Sequence, residues 1–232
     1  MAVTIDGPRV AAKSRTAKQL VVFLHGYGAN GNDLIGLAQQ WQSLLPDAAF
    51  AAPNAPEPCP QAPAGRQWFR LTMQDPNERW TGVNRAAPFL DAFLDAELDR
   101  YSLGDSNLAL VGFSQGTMLA LHAGLRRART PAVILGYSGE LVGPEHLNQV
   151  SNLKPPAKSP QILLIHGGQD DVISPEALFV SAEALAEAGI ACQWHLSANL
   201  GHGIDGQGLI HGGLFLANCF GLKQAPSVKV RL

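Results

Sequence analysis

The stretch LALVGFSQGTMLALHAGL, residues 108–125, decides the fold. It begins with a continuous apolar run, Leu108 to Phe113, and passes directly into a segment that is apolar nearly all round, Ser114 to Leu125. The short run is typical of a strand buried on both faces, and the longer segment predicts a buried helix. Glycines on either side of Ser114 let strand and helix approach closely at the turn between them. We expect Ser114 in a strained backbone conformation, with its hydroxyl lifted above the sheet.

Further short apolar runs, each bounded by Gly or Pro, repeat the pattern of this strand. Segments of helical period lie between them, so the order of strand and helix predicts an α/β fold with a mostly parallel, doubly wound sheet and helices on both faces. The five further runs are Leu20 to Leu24, Ala48 to Ala52, Ala132 to Tyr137, Ile162 to Ile165 and Ile190 to Leu196.

Two helices can be placed by their pattern. Apolar residues recur at helical spacing from Phe89 to Tyr101, and Pro88 must lie in the first turns of that helix or kink it. Ser174 is the expected N-cap of a later helix, with Pro175 in its first position and Gly189 just beyond its end.

Two stretches interrupt this order, Pro53 to Trp80 and Gly139 to Pro160. Six prolines predict that the first is a loop, and a long ordered loop is usually functional. Neither is long enough to form a cap domain, and no linker divides the chain. We expect one domain over residues 1–232 with no separate cap.

Composition excludes several classes of protein. With 17 Lys+Arg against 19 Asp+Glu, the chain has no basic surplus for nucleic acid or anionic membranes. No apolar run is long enough for a secretory signal or a membrane span, and the scattered Cys59, Cys192 and Cys219 favour free thiols. The expected location is the cytoplasm. The expected partner is a small-molecule ester, without nucleic acid or stable membrane insertion, and a homodimer is left open.

A serine nucleophile needs a base and an acid that orients the base. In a hydrolase of this topology the acid and then the base follow the serine along the chain. Two downstream segments fit, HGGQDD at residues 166–171 and LGHG at residues 200–203, because each follows a parallel strand at its carboxyl end. His202, framed by two glycines, is the preferred base. Position alone leaves Asp170 and Asp171 as alternatives for the acid.

The other histidines have structural interpretations. His122 and His195 are expected to be hydrogen-bonded core residues, and His146 a surface loop residue. His25 and His166 end strands beside Gly, where a ring nitrogen typically fixes nearby backbone, and both should border the site. His211 lies on the last helix.

An oxyanion hole needs two backbone N–H donors for the charge that develops on the carbonyl oxygen. The residue after the nucleophile, Gln115, should supply one donor. The turn HGYG at residues 25–28 should supply the other, and Tyr27 is the preferred residue. A phosphate-binding glycine turn is the alternative, but neither GxGxxG nor GxxxxGK[ST] is present.

Six motifs stand in the order and approximate spacing of a known family: FLHGYGANGNDL, APNAPEP, WF, GFSQGTMLAL, HGGQDDVIS and GHGI, from residue 23 to residue 204. From Leu20 to Phe220 the chain resembles the phospholipase/carboxylesterase branch of the α/β-hydrolases, which includes acyl-protein thioesterases and small bacterial carboxylesterases. The resemblance implies nucleophile Ser114, acid Asp170, base His202 and oxyanion amides from Tyr27 and Gln115.

The chain departs from the family pattern at three positions. Thr117 stands where a glycine is usual, and Asp171 and Ser174 replace the usual residues of the acid loop. The roles of Thr117 and Asp171 are open, and these changes make it unsafe to transfer a substrate from any family member.

These observations predict a serine carboxylesterase for short- to medium-chain esters that needs no cofactor and no metal. Acyl-protein thioesterase or lysophospholipase activity is an alternative with the same machinery, and a non-catalytic ligand receptor is a third. Apolar walls for an acyl chain would come from Trp68, Phe69 and Leu141, together with Trp80 and Val142. The alternative is that the aromatic residues only anchor the long loop.

Overall fold

The computed structural model describes residues 4–72, 75, 77–152 and 159–222. Parts of both interrupting loops, at residues 73, 74, 76 and 153–158, lie outside these ranges. The described strands are β1 (Arg9–Val10), β2 (Gln19–Leu24), β3 (Ala48–Ala51), β4 (Glu57–Pro58), β5 (Arg66–Gln67), β6 (Leu108–Phe113), β7 (Val133–Tyr137), β8 (Gln161–Gly167) and β9 (Cys192–Ser197). The described helices are α1 (Gly31–Ile35), α2 (Leu37–Trp41), α3 (Glu78–Tyr101), α4 (Gln115–Arg126), α5 (Glu176–Glu187) and α6 (Gly206–Cys219).

Seven strands form one sheet in the order β1-β3-β2-β6-β7-β8-β9. All neighbours are parallel except β1, which runs antiparallel to β3. The six strands expected from the apolar runs are all present, and helices cover the two faces with separate apolar clusters. The α/β-hydrolase fold is confirmed, and the described residues form no separate cap over the sheet.

The strand at one edge, β9, differs from the expectation that every run is buried on both faces. Trp194 is 51% exposed, its neighbour Gln193 is exposed as well, and of the six residues of β9 only Ser197 is buried. An edge strand has a neighbour on one side only, so an apolar sequence does not ensure burial there. The short β1 gave no apolar run, because its two residues, Arg9 and Val10, are half-buried at the opposite edge.

Helix α3 begins at Glu78, eleven residues before the helical pattern that starts at Phe89. Pro88 therefore lies well inside the helix instead of in its first turns. The early part contains Gly82, which weakens a helix but is needed here, since a Cβ at Gly82 would stand 2.4 Å from the ring of Phe69. The loop before α3 is also partly ordered as a hairpin of β4 with β5.

The start of α5 also differs from the expectation. Pro175, not Ser174, occupies the N-cap position and makes no side-chain cap, while the Ser174 hydroxyl hydrogen-bonds the Glu176 carboxylate. Gly189 follows the helix with φ +73°, as its sequence position predicted. Beyond α5 and β9, α6 is capped by the side chain of Asp205.

Two further properties follow from the described residues. Cys59, Cys192 and Cys219 are all free thiols. None of the described helices is both long enough and apolar enough to cross a membrane.

Candidate active site

Ser114 sits between β6 and α4 with φ 53° and ψ −117°, a conformation that costs energy for any residue except glycine. Its backbone N–H donates to the Tyr137 carbonyl at 2.9 Å, which ties the turn to the end of β7. Gly116 follows where a Cβ would stand 1.9 Å from the Leu24 carbonyl oxygen, so only glycine fits. The strained strand-to-helix turn expected from the sequence is therefore present.

Thr117, which replaces the usual glycine, is fully buried and adds a second tie at this turn. Its hydroxyl donates to the Tyr137 carbonyl at 2.9 Å and accepts from the Tyr137 N–H at 3.0 Å. The residue thus fastens the first turn of α4 to β7. The sequence left the role of Thr117 open and gave no signal for this hydrogen bond.

Asp170 and His202 are in direct contact. Nδ1 of His202 lies 2.8 Å from Oδ2 of Asp170, and the other carboxylate oxygen accepts from the N–H groups of Val172 at 3.0 Å and Ile173 at 2.9 Å. Burial opposes ionisation of Asp170, but the hydrogen bonds from Ile173, His202 and Val172 outweigh it and hold its pKa below the ordinary value. Asp171 is exposed. Of the two adjacent carboxylates, only Asp170 contacts the histidine.

A second histidine borders the same carboxylate. Nε2 of His166 lies 2.9 Å from the Ile173 carbonyl oxygen and 3.2 Å from Oδ2 of Asp170. Because both neighbours are acceptors, Nε2 must carry the proton. The expectation that His166 fixes nearby backbone is confirmed. The contact with Asp170 was missed, although the spacing of four residues could have indicated it.

The His202 loop lies against the serine turn. The His202 ring is centred 5.0 Å from the ring of Phe113, the residue before Ser114. Ser138, at the end of β7, donates its hydroxyl to the Gly203 carbonyl at 3.0 Å and so fixes the residue after His202. Serine turn, histidine and carboxylate are thus gathered at the carboxyl edge of the sheet, where β6, β8 and β9 end.

The two backbone amides expected to form an oxyanion hole belong to Tyr27 and Gln115. The turn that carries Tyr27 is close to the serine, because a Cβ at Gly26 would stand 3.4 Å from Cβ of Ser114. Gln115 is the first residue of α4. In the described part of the chain neither N–H donates a hydrogen bond to another protein group.

The Gln115 side chain has a role that sequence reasoning missed. It is fully buried, its oxygen accepts from the Trp68 N–H at 2.9 Å, and its nitrogen donates to the Phe69 carbonyl at 2.8 Å. The amide therefore binds the long loop to the serine turn through two hydrogen bonds.

Trp68, Phe69 and Leu141 are placed in the core, at 1%, 3% and 6% exposure. The Trp68 indole donates to the His25 carbonyl at 2.9 Å, and the Phe69 ring packs on α3 at Gly82. The two aromatic residues anchor the loop, which was the alternative to an acyl-chain wall. A wall role for these three side chains remains a prediction.

The remaining histidines correct part of the sequence interpretation. His25 fixes backbone as expected, with Nδ1 bonded to the Gly26 carbonyl at 2.8 Å and Nε2 accepting from the Ala55 N–H at 3.0 Å. Nδ1 of His122 and Nε2 of His195, however, are buried without a hydrogen-bond partner among the described residues. His146 lies at the surface with its side chain 32% exposed, and its ring stacks on Trp80 at 4.0 Å between ring centroids.

Among the described residues, no three His, Cys, Asp or Glu side chains are grouped so as to hold a metal ion.

Comparison with known proteins identifies the family. A family model described as phospholipase/carboxylesterase matches residues 5–219. The chain belongs to the phospholipase/carboxylesterase family. Among its relatives, the Escherichia coli esterase YpfH is 27% identical over 201 residues, which cover 86% of this chain and 82% of that protein. Acyl-protein thioesterase 1 of Saccharomyces cerevisiae is 31% identical over 193 residues, covering 77% and 82%.

A solved structure agrees with this family assignment. The crystal structure of esterase PE8 superposes with a TM-score of 0.87 at 41% identity, covering 94% of this chain and all of that one. Like other members of the phospholipase/carboxylesterase family, the chain is an enzyme, a hydrolase of carboxylic esters.

Proposed function

We propose that the chain is a serine carboxylesterase that hydrolyses short- to medium-chain carboxylic esters through an acyl-enzyme. Ser114 is the nucleophile, His202 the base and Asp170 the acid that orients it. The observation that carries the proposal is the contact of His202 with Asp170 beside a serine held in a strained turn.

The proposed chemistry runs in two halves. In the first, Nε2 of His202 takes the proton of the Ser114 hydroxyl as the oxygen attacks the ester carbonyl, and the same proton then passes to the leaving alcohol. In the second, His202 takes a proton from water as the water attacks the acyl-enzyme, and it gives that proton to the Ser114 oxygen as the bond to the acyl group breaks and the carboxylic acid leaves. The backbone N–H groups of Tyr27 and Gln115 stabilise the oxyanion in both halves.

Asp170 contributes by fixing the histidine tautomer. Its Oδ2 accepts from Nδ1 of His202, which leaves Nε2 unprotonated and able to take the serine proton. The lowered pKa of Asp170 keeps the carboxylate ionised at neutral pH, so it stabilises the imidazolium that forms during attack.

A preference for short and medium chains is supported by the absence of a cap over the sheet in the described residues and by the burial of Trp68 and Phe69. A buried methylene contributes about 0.8 kcal/mol only where a pocket exists to receive it. Thioester hydrolysis is the second candidate, because several relatives are named acyl-protein thioesterases.

The proposal is tested with p-nitrophenyl esters of increasing chain length, alongside an acyl thioester and a lysophospholipid. We expect kcat/KM to peak at short or medium chains and to fall for palmitate. A steady rise out to palmitate would favour the thioesterase or lysophospholipase alternative. A fluorophosphonate probe distinguishes all of these serine enzymes from a non-catalytic receptor, which would remain unlabelled.

A further inference from the structure

A polar recess of about 480 Å³ opens beside the loops that follow β2 and β3. None of the residues proposed for catalysis lines it. Its polar lining consists of Thr4, Asp6, Asn30, Asn32, Asn54 and Arg66, and we call it the Arg66 recess.

Arg66 is fixed in position without a carboxylate partner. Its Nε donates to the Ala55 carbonyl at 2.8 Å and one terminal nitrogen, Nη2, donates to the Pro56 carbonyl at 2.7 Å. Within the described part of the chain no carboxylate lies at ion-pair distance from this half-buried guanidinium. Its positive charge therefore remains available in the recess, and both N–H groups of Nη1 and the second N–H of Nη2 remain as donors.

The amide side chains of the recess also present donors. Oδ1 of Asn30 accepts from the Asn32 N–H at 2.9 Å, and Oδ1 of Asn54 accepts from the Gly31 N–H at 2.9 Å. With these oxygens occupied, the N–H₂ groups of Asn30 and Asn54 are left as donors. Within the described ranges, neither N–H₂ group donates a hydrogen bond to another protein group.

One carboxylate, Asp6, also lines the recess, but it forms an ion pair with an arginine that does not line the recess. Its Oδ1 lies 2.7 Å from Nη2 of Arg9, and this hydrogen bond is the main cause of the lowered pKa of Asp6. Arg9 also pairs with Glu97, and Glu97 pairs with Arg100, so these two carboxylates and two arginines together carry no net charge. The unbalanced charge that faces the recess is that of Arg66.

We propose that the Arg66 recess binds an anionic oxygen group of the phosphate type. A fixed cation surrounded by N–H donors complements an anion rich in acceptor oxygens. The two bonds to carbonyls use the guanidinium edge that carries Nε and Nη2, so the edge formed by Nη1 and Nη2 is left to donate to an anion. The N–H₂ groups of Asn30 and Asn54 add donors from separate side chains, which suits the several oxygens of a tetrahedral group.

The recess lies directly behind the turn that carries Tyr27. The Arg66 carbonyl accepts from the Gly28 N–H at 2.9 Å, and the Arg66 N–H donates to the Ala29 carbonyl at 2.7 Å. A bound anion would therefore contact the segment that follows the proposed oxyanion donor.

The test is thermal unfolding with inorganic phosphate at constant ionic strength, with sodium chloride as the exchanged salt. A ligand at a hundredfold excess over its Kd should raise Tm of the wild-type chain by about 5 °C. Asn32→Asp places a negative charge in the recess at nearly constant shape, at an exposed side chain without a hydrogen bond in the described structure. Gln40→Glu makes the same charge change on an exposed face of α2, outside the recess.

We expect phosphate to raise Tm of wild type and Gln40→Glu equally, and to leave Asn32→Asp and Arg66→Gln within about 1 °C of their own values without ligand. An equal rise in all four proteins would be a general salt effect and would overturn the proposal, as would no rise in any. A rise with sodium acetate alone would overturn the assignment to phosphate. Glycerol 3-phosphate tests whether the recess prefers a phosphate ester or the free ion. If it raises Tm at a lower concentration than inorganic phosphate does, the ester is the preferred form.

Discussion

Nδ1 of His202 lies 2.8 Å from Oδ2 of Asp170, whereas the neighbouring carboxylate, Asp171, is exposed. The Asp170 carboxylate is itself held in place, because its other oxygen accepts hydrogen bonds from the N–H groups of Val172 and Ile173. An acid fixed in this way can hold the imidazole in one tautomer and one orientation.

This contact predicts different effects for two adjacent substitutions. Asp170→Asn presents an amide to His202 and favours the wrong tautomer, so kcat should fall at least a hundredfold and up to about 10⁴-fold. Asp171→Asn should stay within about threefold of wild type, because an exposed loop carboxylate contributes little to the rate. Steady-state kinetics with p-nitrophenyl butyrate measures both. The reverse ranking would assign the orienting role to Asp171.

His166 is expected to support the same carboxylate. In His166→Leu, the ring that lies 3.2 Å from Oδ2 of Asp170 and bonds the Ile173 carbonyl is lost, so the acid loop is held less firmly and kcat should fall about fivefold. His166→Gln can place an amide N–H near the position of Nε2 and should restore most of kcat. Equal kcat in all three proteins would show that His166 does not affect the reaction.

Sequence reasoning located the six strands of four or more residues, because each contains a continuous apolar run, and missed the two-residue strands β1, β4 and β5. Apolar residues do not bury β9, because that strand lies at the edge of the sheet. The part of α3 before Phe89 gave no helical pattern, since Gly82 and Pro88 are poor helix formers. Gly82 is explained only by the Phe69 ring that packs against it.

The site was predictable to a similar degree. Motif order indicated Ser114, Asp170 and His202, and the structure brings the last two into contact beside the serine turn. The supporting contacts of Thr117, Ser138 and the Gln115 side chain were not predictable, since each joins segments distant in sequence through a buried hydrogen bond. Hydropathy and spacing carry no information on such pairs.

His122 makes folding sensitive to acid. Burial and the nearby Arg126 cation lower the pKa of His122 to about 3, whereas an unfolded histidine has a pKa of about 6.5. As the pH falls below about 6.5, the unfolded chain takes up a proton that the folded chain does not, so stability declines between these two values.

The change that tests this is His122→Leu. Between pH 7.5 and pH 4.5 the free energy of unfolding of wild type should fall by about 1 to 2 kcal/mol more than that of His122→Leu. Urea unfolding at both pH values measures the difference, and the same substitution at exposed His211 is the control. Equal pH dependence of His122→Leu and wild type would contradict the assignment.

A buried arginine should be important for stability. Arg127, at 8% exposure, donates to the carboxylates of Asp91 and Asp105 at 2.8 Å each and of Asp95 at 2.5 Å. Arg127→Met leaves the buried Asp105 without its main partner, and we expect a loss of about 3 to 5 kcal/mol in the free energy of unfolding.

Arg129 provides the matched control for that loss. It contacts the same Asp105 at 2.9 Å, but its side chain is 80% exposed. Arg129→Met should therefore cost no more than about 1 kcal/mol in urea unfolding. Similar losses for Arg127→Met and Arg129→Met would show that burial does not set the strength of these ion pairs.

Ser114 is the proposed nucleophile of this ester hydrolase, and removing its hydroxyl tests that role most directly. The measurement is kcat of Ser114→Ala on p-nitrophenyl butyrate, with circular dichroism to check that the fold is retained. We expect a loss on the order of 10⁴-fold or more, because the members of a triad act as a unit. Residual activity within about tenfold of wild type in a folded Ser114→Ala protein would contradict it.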